Sequence, residues 1–142
     1  MNLSDLIPVS LIRFLLVGIA NTAVGLSVIW IFRNLAGVGD VGSNAAGYII
    51  GVLVSFTLNK RWSFSFRGDG LRAFGRFLLV FLVAYGANLT AVAAAIALAG
   101  HSSYWCQLAG VVPYTTLFYL GCRSFAFPQP AARTPPVSPA RT

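Results

Sequence analysis

Three stretches of this chain contain no Asp, Glu, Lys or Arg: residues 14–32, 41–59 and 77–122. A helix crosses a hydrocarbon core about 30 Å thick with roughly 20 apolar residues. The first two stretches, 19 residues each, match one crossing apiece. The third has 46 residues and is interrupted by Gly100-His101-Ser102-Ser103, so it reads as two crossings. The expected spans are Arg13–Phe32, Val41–Asn59, Phe77–Ala99 and Tyr104–Gly121. Lipid offers the backbone no hydrogen bonds, so these spans must be helical. The predicted fold is an all-α integral membrane domain over residues 1–127, and a soluble globular enzyme is excluded. Charged residues make up 9% of the chain, against about a quarter in soluble domains.

Orientation follows from the basic residues in the short connections. Arg13 precedes the first span. Lys60, Arg61, Arg67, Arg72 and Arg76 fill the central loop, and Arg123, Arg133 and Arg141 follow the last span. These nine share one side of the membrane and Arg33 alone faces the other, which predicts that both termini are cytoplasmic. The first span is too long for a signal-peptide core and lacks a small-residue cleavage site, so it reads as a true span. From Pro128 to Thr142 the chain has five prolines in fifteen residues, which predicts a disordered tail. Cys106 and Cys122 would stand about 24 Å apart on one helix, too far for a disulfide, and are expected to be packing residues.

The two halves resemble each other. Arg13-Phe14-Leu15-Leu16-Val17 recurs 63 residues later as Arg76-Phe77-Leu78-Leu79-Val80. At the same offset, Asn44-x-Ala46-Gly47 answers Gln107-x-Ala109-Gly110. At an offset of 62, Phe56-x-Leu58-x-x-Arg61 answers Phe118-x-Leu120-x-x-Arg123. The implied unit is a two-span hairpin repeated in the same orientation, an arrangement known among transporters.

Residues for catalysis are lacking. His101 sits in an outer turn, and Asp5, Asp40 and Asp69 lie in three separate loops, so no acid–base pair, activated nucleophile or metal cluster is expected. No catalytic residue, metal or cofactor is assigned. The spans do hold amides: Asn21, Asn44, Asn88 and Gln107. Such groups either bond between helices or line a path for hydroxyl-bearing ligands such as sugars. Arg13, Lys60, Arg61, Arg76 and Arg123 fall at span boundaries, with Trp62 beside Arg61. They determine topology, and guanidinium groups can also hold a lipid phosphate bidentately. A net charge of +7 with no acid in the spans favours an anionic lipid over a cationic drug. Nucleic acid is not an expected partner.

Arg13-Phe14-Leu15-Leu16-Val17-Gly18-x-x-Asn21-Thr22 and Phe56-x-Leu58-Asn59-Lys60-Arg61-Trp62-Ser63-Phe64, with the closing Arg123-Ser124-Phe125-x-Phe127, resemble the GtrA-like family over about residues 11–127. Ser63 stands where Thr or Val is commoner, and the closing motif lacks a Trp. The resemblance implies a role in bacterial cell-surface polysaccharide synthesis. It implies translocation of a polyprenyl-phosphate-linked sugar, such as undecaprenyl phosphate glucose, across the bacterial cytoplasmic membrane. It makes Asn21, Asn59, Lys60, Arg61 and Trp62 candidate substrate contacts. The combined expectation puts phosphate on Arg13, Lys60, Arg61, Arg76 and Arg123, and sugar on Asn21, Asn44, Asn59, Trp62, Asn88 and Gln107. Four spans enclose little space, so a homo-oligomer, most simply a dimer, is expected. The alternative role is a non-transporting anchor for a membrane glycosyltransferase.

Overall fold

The computed structural model describes residues 8–100 and 104–128. The expected tail beyond Pro128, with His101 and Asp5, lies outside the described residues. Helix α1 runs Val9–Asn34, directly after Pro8, whose ring fixes the entering backbone. Helix α2 runs Asp40–Leu58 and widens into a π-helical turn over Asn59–Ser63. Arg33 in the last turn of α1 pairs with Asp40 in the first turn of α2 at 3.0 Å. Each charge also offsets the dipole of its own helix end. Helix α3, Gly70–Ala99, is capped by Asp69, whose carboxylate accepts from the N–H of Leu71 at 2.9 Å. It ends at Gly100 in the left-handed region, with φ 72°.

Val9–Asn34, Asp40–Ser63 and Gly70–Ala99 are long and apolar enough to cross a membrane. The expected fourth span is not one helix. It is broken at Gly110 into α4, Tyr104–Ala109, and α5, Val111–Gly121, followed by a second π-helical turn at Cys122–Ala126. The cause is Pro113. It has no N–H for the carbonyl of Ala109, and its ring crowds that carbonyl. The turn closes around the gap instead, with Gly110 N–H donating to Gln107 O at 3.3 Å.

Backbones approach closely within α1–α2 and within α3–α4–α5. Glycines allow it. A Cβ on Gly47 would stand 2.5 Å from Cγ1 of Ile29 and 3.0 Å from the carbonyl of Gly25. The Gly47-x-x-x-Gly51 motif thus packs α2 on α1 inside the chain, with Gly51 against Asn21, and is not left free as a contact between chains. Gly47→Ala is expected to cost about 1–3 kcal/mol. Gly86→Ala, where a Cβ meets nothing within 4 Å, serves as the control. Thermal unfolding in detergent separates them, and equal midpoints would refute this packing role.

The two helix pairs meet through rings at the end carrying the π-helical turns. Phe14, Phe64, Phe77, Phe118, Tyr119 and Phe127 are all buried there. Phe14 meets Tyr119 at 5.5 Å and 66°, and Phe77 meets Phe56 at 5.5 Å and 66°. Phe64 and Phe127 stack on each other between the pairs at 5.4 Å and 23°. Ser10 and Tyr119 add a hydroxyl–hydroxyl hydrogen bond of 2.8 Å across the same junction.

Candidate functional site

Away from the rings the helix pairs leave a crevice between them. Its larger chamber, about 430 Å3, is lined by Asn21, Thr22, Gly25, Asn44, Gly47 and Gly51 of the first pair, with Phe81 of α3 and Tyr114 of α5. A second chamber of about 200 Å3 shares Asn21, Thr22 and Tyr114, and continues past Thr115 to Ser55 and Asn59. Small residues on α2 create the space. Asn44, Gly47 and Gly51 recur at three- and four-residue intervals, so they share one face of that helix.

Polar atoms along this path lack partners. The side-chain oxygens of Asn21 and Asn59 are buried without a hydrogen bond, and so, outside the two chambers, is the hydroxyl of Ser63 in the π-helical turn. Asn59 is 1% exposed, and its amide nitrogen donates to Ser55 Oγ at 3.3 Å. That bond directs the carboxamide and leaves its oxygen as an unfilled acceptor. Leaving such a group unmade in a dry site costs about 1–3 kcal/mol, so a ligand that donates there recovers free energy.

Cations gather just beyond Asn59. Lys60 and Arg61 follow it in the chain, and Arg13 precedes Phe14, which lines the smaller chamber. Arg13 donates to the carbonyl of Trp62 at 3.2 Å and lies 5.9 Å from its ring centroid. Lys60 lies 6.0 Å from the ring of Phe56. On the second pair, Arg76 lies 5.3 Å from the ring of Phe125, and Arg123 reaches the hydroxyl of Tyr119 at 3.5 Å. Among the described residues the carboxylates are engaged elsewhere: Asp40 with Arg33 and Asp69 with Arg72. Among the described residues no carboxylate compensates the five boundary cations.

The sequence-derived set divides. Asn21, Asn44 and Asn59 line the crevice, with Lys60, Arg61 and Trp62 following at its ring end. Arg76 and Arg123 belong to the second pair. Asn88 is half-buried where α3 packs on Gly110, so that a Cβ on that glycine would collide with its amide. Gln107 is exposed on α4. Neither Asn88 nor Gln107 lines the crevice. Ser55 was not among the expected site residues, yet it lines the smaller chamber; its signal was the four-residue spacing to Asn59, which sets both on one face.

Apolar helices of membrane-spanning length around a polar crevice define a multi-pass membrane protein. The chain belongs to the GtrA/DPMS, transmembrane domain family, whose model matches residues 13–127. That family is linked to polyprenyl-sugar handling in glycan synthesis, and its members are generally non-catalytic. No curated protein matches the chain.

Proposed function

We propose that this protein moves a polyprenyl-phosphate-linked sugar between the leaflets of the bacterial cytoplasmic membrane, for cell-surface polysaccharide synthesis. One observation carries this reading: a polar crevice with unfilled acceptors ends at uncompensated cations. The phosphate docks at Lys60 and Arg61 with Arg13 close by, the sugar enters along Asn59, Asn21 and Asn44, and the polyprenyl chain stays in lipid. Arg76 and Arg123 extend the positive rim on the second pair. In this reading the cationic end and both termini face the cytoplasm, as the distribution of Lys and Arg favours. Transfer runs down the substrate gradient. With the Gly47–Gly51 motif used inside the chain, pairing of two copies falls to the exposed apolar helix faces.

The test is reconstitution. Liposomes containing the purified protein are expected to expose a short-chain polyprenyl phosphate hexose to an external probe at least about ten times faster than empty vesicles. Equal rates would overturn the transport reading. Equal rates together with co-purification of a glycosyltransferase would establish the anchoring role instead.

A further inference from the structure

We infer that each chain carries one head-group subsite, whose unpartnered acceptors all come from the first helix pair, and which selects ligands by the O–H groups they donate and disfavours head groups bearing a carboxylate. This rests on the reading above that the ligand is a lipid-linked sugar.

The first support is a comparison of the two pairs. Their geometry is related by a constant offset of 63 residues. The π-helical turns occupy 59–63 and 122–126. Phe64 meets Tyr119 at 5.9 Å and 32°, and its counterpart contact, Phe127 with Phe56, is 5.9 Å and 34°. Arg13 over Trp62 is answered by Arg76 over Phe125. By this measure the partner of Phe56 is Tyr119, one residue beyond the Phe118 that the sequence motif suggests.

The buried polar groups break this correspondence. Asn21, Ser55, Asn59 and Ser63 of the first pair are matched at 63 residues by Ala84, Phe118, Cys122 and Ala126. All four of those are buried, Ala84, Cys122 and Ala126 completely. The same scaffold is therefore packed with apolar or weakly polar groups in one copy. Packing does not require Asn59 or Ser63 in the other. Their unpartnered oxygens are features of a site, and the second pair lacks it.

The second support is the chemistry of the unfilled atoms. A carboxamide oxygen only accepts. Two such oxygens lie buried on Asn21 and Asn59, residues that line the path, and a ligand that reaches them has to donate. A sugar hydroxyl does so. A uronate keeps its ring hydroxyls but carries, in place of one O–H, a carboxylate that cannot donate and that sets negative charge against these oxygens.

Purified full-length protein in detergent is titrated with three short-chain polyprenyl phosphates: a neutral hexose conjugate, the matching uronate conjugate, and the lipid without sugar. The hexose lipid is expected to bind at least about ten-fold tighter than the other two. Asn59→Leu and Asn21→Leu should each erase that preference without lowering the thermal midpoint, since an unmade acceptor is replaced by an apolar group. Cys122→Ser, at the equivalent position of the second pair, should leave the preference intact. Equal affinity of the wild-type protein for hexose and uronate lipids would overturn the inference while leaving lipid binding and the proposed function standing. So would a preference that survives in a folded Asn59 or Asn21 variant. Failure of all three lipids to bind would remove both.

Discussion

Phe77→Ala is expected to lower stability by about 3 kcal/mol, as for other fully buried phenylalanines, and to loosen the joint between the helix pairs. Phe77 is 1% exposed and touches rings from three other segments: Phe56 at 5.5 Å, Phe118 at 5.3 Å and Phe127 at 6.1 Å. Within a membrane, helices gain little from burial of apolar surface, because lipid is equally apolar. Close packing has to supply the attraction, and here it is concentrated in rings. Leu79→Ala, at a site 53% exposed toward the surroundings, is expected to change stability by less than about 1 kcal/mol. Unfolding by titration with a denaturing detergent compares the two. Similar midpoints would mean that the rings do not hold the pairs together.

The largest expected effect on activity is that of Lys60→Ala combined with Arg61→Ala. Charge-assisted hydrogen bonds to phosphate contribute roughly 1.5–3 kcal/mol each. Losing both predicts about a 100-fold or greater loss of affinity for polyprenyl phosphate lipids, given 1.4 kcal/mol per tenfold. Among the described residues neither is ion-paired, and Arg61 is exposed, so folding should be spared. Lys60→Arg with Arg61→Lys keeps the charge but rearranges its geometry, and is expected to recover part of the binding. A double alanine variant that binds and transfers normally would exclude this locus as the phosphate site.

Much of the fold was legible because charge and hydropathy act along the chain. The runs 14–32 and 41–59 mark α1 and α2 within a few residues. Charge is a poor marker of helix ends, however. Helix α1 begins four residues before Arg13, and α3 begins six before Arg76, because helices continue past the bilayer into the loops. The break at Gly110 was half visible. Pro113 announces a bend, but the turn forms three residues earlier, where the missing N–H takes effect. The π-helical turns have no local sequence signature and arise from how the rings dock. Among the crevice-lining residues, Asn21 and Asn44 were readable as intramembrane amides, whereas Asn59 was indicated only by the family resemblance. Asn88 looked the same in sequence, yet Gly110 draws it into helix packing. Which residues fall within the apolar helices was legible; rotation about the helix axis was not.

The stack of Phe64 on Phe127 has a mechanical consequence. Ring faces slide with little change in contact energy, whereas hydrogen bonds break, so a joint of stacked rings gives at its angle before it gives in its length. The first helix pair, unbroken along its length, forms a long arm extending from this stack. From Phe14 to Asn34 the arm is about 30 Å at 1.5 Å per residue, so a swing of about 10° displaces its far end by about 5 Å. Any change of angle at the stack would therefore be geared up into the width of the opening beyond it.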